Sequence, residues 1–259
     1  QANGFIEKNF NLKDIYIQPA AGDNGLAVGA AYLGYLNYTN FKKFNPKTFN
    51  HSYFGPSFTN AEVLKILIQN KKKINFRYKK NIEKHTANHL SKNKIVGWFQ
   101  GKMEFGPRAL GNRSILASPC DIKVKNRLNL EIKNRDYFRP FAPAVLEKYS
   151  KKIFNLKFKS PFMLIATSVK NKKSTIDKIP AILHYDQSAR VQTVEKKINR
   201  RFHNLINEFY KITGAPMLLN TSFNGKGEPI VCNPQDAIDS YFKNKMDHLV
   251  IGNYFITRK

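Results

Sequence analysis

The feature that most constrains this chain is an apolar run that leads directly into a loop rich in glycine and cations. The run, residues 95–100, reads Ile-Val-Gly-Trp-Phe-Gln, and its β-branched and aromatic residues predict a buried strand. Residues 101–114 follow it at once, and α/β proteins place their binding sites at the ends of such strands. The sequence therefore predicts an α/β protein with a site in this loop.

The cations and glycines of the loop suit a phosphate or carboxylate ligand. Arg108 and Arg113 offer planar guanidinium groups that match the oxygens of such anions, and Lys102 adds a point charge. Gly106 and Gly111 allow the main chain to approach a ligand closely. Composition alone leaves a second interpretation open, in which the loop is a solvated basic turn.

Two further arginines stand in segments that restrict their orientation. Arg139 precedes Pro140 in a proline-rich segment with little backbone freedom, so its guanidinium has a fixed direction. Arg190 lies in a β-prone run, where alternation places it on the same face as Gln192. The local sequence equally allows a surface ion pair for Arg139, for example with Glu147, and a solvated face for Arg190.

A third polar segment follows the apolar residues 217–219. Thr221, Ser222 and Asn224 supply two hydroxyls and an amide, which can hold phosphate oxygens without adding charge. An ordinary strand-to-turn connection would have the same composition. The segment is a candidate for ligand binding on this basis.

The hydrophobic pattern places strands and helices along the chain in irregular order, which favours a sheet of mixed direction with flanking helices over a doubly wound sheet. Residues 41–58 are polar and turn-rich and read as a linker. The predicted strands are 14–19, 95–100, 162–166, 189–194, 217–219 and 249–256, and the predicted helices are 26–36, one capped by Thr59 or Asn60, 122–132, and one that begins near Pro234.

Composition bounds the class of protein. A chain of 259 residues with 42% hydrophobic content can bury a full core. Its 44 Lys and Arg against 18 Asp and Glu give a formal charge of +26, but the excess is spread as lysines among asparagines, so nucleic acid is an unfavoured partner. Two cysteines, Cys120 and Cys232, fit a reducing cytoplasm, and no apolar run is long enough to predict a membrane span.

Four blocks in a fixed order resemble the C-terminal region of the NodU/CmcH-type O-carbamoyltransferases. They are the loop 101–114, residues 136–143 (DYFRPFAP), residues 189–194 (ARVQTV) and residues 219–224 (LNTSFN). The resemblance implies a YrdC-like domain over residues 59–259, a linker at 41–58, and the last part of an actin-like ATPase-superfamily domain at 1–40.

The resemblance also implies an activity. In this family the YrdC-like domain forms carbamoyl-adenylate from carbamoyl phosphate and ATP, and the actin-like domain transfers the carbamoyl group to an acceptor hydroxyl. The implied catalytic residues are Lys102, Arg108 and Arg139, and the implied ligand-binding residues are Arg113, Arg190, Thr221, Ser222 and Asn224. An RNA-binding module and a non-catalytic nucleotide-binding domain are the alternative functions.

Only the family resemblance implies that the protein binds a metal. Asp23 is followed by Asn and Gly, a context typical of a turn residue. In the family an aspartate in this context helps to hold a divalent metal, commonly iron, with two histidines from earlier in the chain, and Mg²⁺ can accompany ATP. His85 and His89 have the spacing of a metal pair, but we expect them to be surface residues without a third ligand.

Overall fold

A mixed β-sheet forms the centre of the protein. The computed structural model describes residues 2–40, 49–170, 173 and 177–259. Within these residues, nine strands lie in one sheet in the order β1-β9-β8-β2-β3-β7-β4-β6-β5. In chain order the strands are β1 Ile74–Tyr78, β2 Val96–Phe99, β3 Arg113–Ala117, β4 Ala142–Leu146, β5 Ile165–Ser168, β6 Ser188–Val194, β7 Met217–Ser222, β8 His248–Ile251 and β9 Tyr254–Arg258.

The sheet has mixed direction, as predicted. β2 pairs in parallel with β8, and β4 with β6, whereas the other neighbouring strands are antiparallel. Helices flank it: α1 Ala2–Asn9, α2 Asp23–Tyr38, α3 Asn60–Gln69, α4 Ile82–Leu90, α5 Ile122–Arg127, α6 Glu147–Ile153, α7 Arg200–Thr213 and α8 Pro234–Lys243, with a π-helical turn at Leu128–Ile132 and a 3₁₀ turn at Pro180–Ile182. The predicted α/β class is confirmed.

Local sequence explains where several helices begin and which face they bury. Thr59 caps α3, and Glu62 bonds back to the Thr59 backbone in a capping box. Helix α7 buries side chains spaced three and four residues apart, which is one face of a helix. These buried residues are Phe202, Leu205, Ile206 and Phe209. Every residue of β2, β3 and β4 is buried, so the centre of the sheet is covered on both faces.

Three predicted strands differ from the structure. Residues 14–19 form no strand, although Ile15 and Ile17 pack against the core. Residues 249–256 form two strands, because Gly252, with φ of +57°, turns the chain between β8 and β9. The strand predicted at 162–166 begins only at Ile165, since Met163 has φ of +58° and lies in a turn.

The N-terminal segment lies against the sheet and the loop. The Asn3 side chain donates to the carbonyl of Leu164 beside β5, and an ideal Cβ on Gly106 would lie 3.0 Å from the Pro19 carbonyl oxygen. Helix α2 is largely apolar, yet none of its residues is buried. The assignment of residues 1–40 to an actin-like domain stays a prediction.

Half of the predicted linker belongs to the folded body. Residues 41–48 lie outside the described part of the chain, but residues 49–58 pack on the glycine-rich loop. Tyr53 pairs with Glu104 in a β-bridge, and the Gly55 N–H donates to the carbonyl of Met103. Among the described residues, no helix is both long enough and apolar enough to cross a membrane.

Candidate functional site

The glycine-rich loop is organised around the buried carboxylate of Glu104. Its Oε1 accepts hydrogen bonds from the backbone N–H groups of Leu110 and Asn112 at 2.7 Å each and of Arg113 at 3.3 Å. Burial raises the pKa of Glu104, and the N–H groups of Asn112 and Leu110 and the Arg113 charge oppose that rise. The carboxylate thereby fixes the backbone that carries Arg108.

Arg113 is built into the protein interior. It is fully buried, and its Nη1 donates to the carbonyls of Gln100 at 2.7 Å and Gly101 at 3.2 Å, while Nη2 donates to that of Pro56 at 3.1 Å. The guanidinium lies 3.6 Å from the centroid of the Phe99 ring, and burial lowers its pKa to about 10. These contacts give Arg113 a structural role, and the ligand-binding role predicted for it stays a prediction.

Two amide side chains fasten the loop to the sheet. Asn220 on β7 donates from Nδ2 to the carbonyl of Ala109 at 3.1 Å and to Gln192 Oε1 at 2.9 Å. Gln192 on β6 donates from Nε2 to the carbonyl of Leu110 at 2.8 Å. The two anchored residues directly follow Arg108 in the chain, so two strands that are distant in sequence help to determine its position.

Four arginines form a chain of electrostatic neighbours, in which Arg190 interacts with Arg108 and Arg135, and Arg135 interacts with Arg139. Burial, together with the charges of Arg108 and Arg135, lowers the pKa of Arg190 to about 10. Burial also lowers the pKa of Arg135, and the charge of Arg139 acts in the same direction. In the part of the chain that the structure describes, none of the four forms an ion pair, and the buried Nε atoms of Arg108 and Arg190 have no hydrogen-bond partner. This arginine cluster, Arg108, Arg135, Arg139 and Arg190, therefore carries uncompensated positive charge.

The Ser222–Asn224 turn lies beside the arginine cluster and is held by a lysine. Lys133 Nζ donates to the carbonyls of Ser222 at 2.6 Å and Asn224 at 2.8 Å, and the Ser222 hydroxyl donates to Asn224 Oδ1 at 2.7 Å. Burial lowers the pKa of Lys133 to about 7; the charge of Arg135 adds to this effect and that of Glu228 opposes it. The electrostatic effect of Arg135 on Lys133 relates the turn to the cluster.

Sequence reasoning missed three of these residues. Lys133 and Arg135 were lost among 44 cations, and Asn129 among many asparagines. Asn129 accepts from Arg135 Nε at 2.7 Å and donates to the carbonyls of Tyr137 at 3.0 Å and Arg139 at 2.9 Å. Their positions in the sequence could have indicated them. Asn129 directly follows the apolar Leu128, and both cations lie just before the segment that carries Arg139.

Two predicted site residues occupy less central positions. Lys102 has an exposed side chain, and its carbonyl accepts from Asn112 Nδ2 at 2.7 Å. Thr221 is adjacent to Ser222 in β7, so alternation places its side chain on the opposite face of the strand. The structure thus brings Arg108, Arg139, Arg190, Ser222 and Asn224 into one region, with Lys102 and Thr221 at its edge.

Histidines cluster elsewhere, and Asp23 stands apart from them. Asp23 is exposed in the first turn of α2. His85 and His89 were expected on the surface but are partly buried, and His248 approaches them, with ring centroids 4.4 Å apart between His89 and His248. Among the described residues, no group of three His, Cys, Asp or Glu side chains is arranged to hold a metal ion. The predicted metal role of Asp23 stays a prediction.

Fold and site together define a mixed α/β protein with a cluster of arginines that form no ion pairs in the described part of the chain. Residues 87–258 match the family model described as "Carbamoyltransferase C-terminus". This match covers well over half of the chain, so the chain belongs to that family of carbamoyltransferase domains. The resemblance found in the sequence is confirmed.

The chain is also similar to individual known proteins. An uncharacterized protein of Synechocystis sp. is 39% identical over 99% of this chain and 45% of its own length, and nodulation protein NolNO of Sinorhizobium fredii is 37% identical over 99% and 38%. The chain thus spans less than half the length of these curated relatives. A crystal structure of full-length HypF in the phosphate- and nucleotide-bound form is similar over 72% of this chain and 22% of that one, with a TM-score of 0.46 and 19% identity.

Proposed function

We propose that this chain carries the site that forms carbamoyl-adenylate from carbamoyl phosphate and ATP, for transfer to an acceptor hydroxyl. The observation that supports it best is the arginine cluster beside the Ser222–Asn224 turn. Guanidinium groups without carboxylate partners suit an anion with several negative charges, and a triphosphate or carbamoyl phosphate has that character. Arg108 and Arg190, both half-buried, are best placed to contact it.

The proposed reaction has three steps. Water cleaves carbamoyl phosphate, so that phosphate leaves and carbamate remains. A carbamate oxygen then bonds to the α-phosphorus of ATP, while the bond from that phosphorus to the bridging oxygen breaks and pyrophosphate leaves. Finally, the acceptor oxygen attacks the carbamoyl carbon, AMP leaves, and the hydroxyl proton passes to solvent.

The residues of this site serve such chemistry by position and charge. Arg108, Arg139 and Arg190 would neutralise the phosphate oxygens as pyrophosphate develops its charge. Ser222 and Asn224 would orient oxygens through neutral hydrogen bonds, and Lys102 would add charge at the edge of the loop. No side-chain nucleophile is required. Mg²⁺ that accompanies ATP would be held chiefly by phosphate oxygens, because the described residues offer no group of three metal ligands.

In this proposal the actin-like domain carries out the transfer step and holds its metal. Asp23 is a single potential ligand, and one carboxylate does not make an iron site. The residues described here therefore do not fit the iron that the family resemblance implies, and no step of the proposed adenylation uses it. The acceptor would bind in the actin-like domain.

Exchange of labelled pyrophosphate into ATP tests the adenylation. We expect exchange that requires carbamoyl phosphate and no acceptor. A charge-assisted contact contributes ~1.5–3 kcal/mol, so Arg108→Ala and Arg190→Ala should each lower kcat/KM of exchange by roughly ten- to a hundredfold. Arg77→Ala is the matched control, because Arg77 is an exposed arginine on β1, at the other edge of the sheet.

The other outcomes identify the alternatives. A folded wild-type protein that binds ATP without exchange would be a non-catalytic nucleotide-binding domain. RNA binding that weakens steeply with salt and ignores ATP would favour the RNA-binding module. Exchange that survives both substitutions would place the adenylation site outside the arginine cluster.

A further inference from the structure

Lys133 is a buried lysine whose amine faces a turn of the protein rather than solvent. Its residue is only 7% exposed. The π-helical turn Leu128–Ile132 ends immediately before it, and its backbone N–H donates to the carbonyl of Leu128, five residues earlier, at 2.8 Å. This geometry aims the side chain at the Ser222–Asn224 turn.

The contacts of the amine require its proton. Four acceptors surround Nζ: the carbonyls of Ser222 and Asn224, Asn224 Oδ1 at 2.8 Å and Ser222 Oγ at 3.3 Å. An ammonium group has three N–H donors for these oxygens, whereas a neutral amine has two and directs a lone pair at the others. Loss of the proton therefore removes at least one bond that holds the turn.

Burial and the surrounding charges bring the pKa of Lys133 close to neutral pH. Burial and Arg135 disfavour the charged amine, while Glu228 favours it, and the pKa of Lys133 is lowered to about 7. The Glu228 carboxylate is itself engaged, by the Gly225 N–H at 2.7 Å and by Lys243. A polyanion bound at the arginine cluster would offset the charge of Arg135, so it would favour the protonated amine.

We propose that Lys133 is a positioning residue that couples proton uptake to anion binding. In its protonated form it holds Ser222 and Asn224 in the ligand-binding arrangement, and a bound polyanion keeps it protonated. This inference rests on the proposed function, because that function supplies the polyanion. It deepens that proposal by assigning a proton to the binding step, with no covalent change at Lys133.

Amide chemical shifts in the ligand-free protein test the first half of this coupling. The signals of residues 222–225 should titrate with a midpoint close to neutral pH in the wild type and stay flat between about pH 6 and 9 in Lys133→Met. Lys211→Met, at an exposed site in α7, is the control and should titrate like the wild type. A wild-type turn that does not titrate in this range overturns the inference without any variant having to fold.

Calorimetry with inorganic pyrophosphate tests the second half. Titrations in buffers of different ionisation enthalpy at about pH 8 should show uptake of roughly half a proton or more per bound anion in the wild type. His184, which faces Arg190, should contribute little there because burial lowers its pKa. Lys133→Met should bind more weakly without that uptake, and Lys133→Arg should keep the charge and also lose the uptake.

The two proposals fail differently. Pyrophosphate binding with equal proton uptake in wild type and Lys133→Met would refute the role of Lys133 and leave the proposed function standing. A folded wild type that binds neither pyrophosphate nor ATP would refute the proposed function and the coupling together.

Discussion

Glu104 offers the sharpest test of how the loop is built. Replacing it with alanine removes the acceptor of three backbone N–H groups, those of Leu110, Asn112 and Arg113. It also removes the negative charge that faces the buried Arg113 guanidinium. Glu104→Gln keeps an oxygen that can accept the same bonds and loses only the charge.

The structure sets the expected magnitude. Leaving three buried backbone N–H groups without their acceptor costs about 3–5 kcal/mol in total, taken from the lower part of the range of ~1–3 kcal/mol for each unsatisfied buried group. Glu104→Ala should lower the free energy of unfolding by that amount, which corresponds to a fall in Tm of roughly 6–20 °C for a domain of this size. Glu104→Gln should cost about 1–3 kcal/mol, since the donors remain paired with a neutral acceptor.

Thermal and urea unfolding followed by circular dichroism measure these differences. Glu62→Ala is the control, because Glu62 is an exposed residue of the α3 capping box and its loss should destabilise the protein much less. If Glu104→Ala were no less stable than Glu62→Ala, the carboxylate would not organise the loop, and the reasoning would be refuted.

Two further predictions concern stability. In urea unfolding, Gly111→Ala should destabilise the protein by several kcal/mol more than Gly214→Ala. Both glycines have positive φ, but a Cβ on Gly111 would lie 2.2 Å from the Phe202 ring, whereas a Cβ on Gly214 would meet open space. Equal losses of stability in the two variants would contradict this account of the packing. The pKa of His248 falls to about 4 on folding, so the stability that depends on its neutral form is complete above about pH 6.5 and is lost as the pH falls toward about 4. After a discount for its half-exposed ring, His248→Gln should reduce this acid-dependent loss by about 1–3 kcal/mol, and unchanged pH dependence of urea unfolding would contradict the prediction.

Much of the fold could be predicted because many of its elements depend on residues that are close together in the sequence. The buried β2 strand, the Thr59 cap and the helix that begins at Pro234 depend on a few neighbouring residues, and all three are confirmed. The hairpin at Gly252 could have been recognised from its Gly-Asn pair, but the strand at 14–19 could not have been rejected locally. That segment contains the β-prone Ile15, Tyr16 and Ile17, and only the rest of the fold determines that no strand pairs with it.

The candidate site shows where local reasoning ends. Local alternation predicts that Arg190 and Gln192 lie on one face of the strand. It does not predict their different contacts, because Gln192 binds the carbonyl of Leu110, whereas Arg190 lies near other cations. Arg113 matched the expected chemistry of a ligand-binding arginine, yet the interior supplies enough carbonyls to satisfy its Nη donors. The number of free donors on a cation depends on distant backbone, which a sequence pattern does not record.

The π-helical turn makes this region sensitive to chain length. A π turn is an α-helix that has accommodated one additional residue, so a single deletion within Leu128–Ile132 would restore regular helical geometry. Every residue after the deletion would then rotate by about 100° around the helix axis relative to its present position. Lys133 would leave the Ser222–Asn224 turn without any change in the residue types on either side. Descendants of this gene can therefore exchange many side chains around the turn, but they cannot shorten it by one codon and keep the lysine in place.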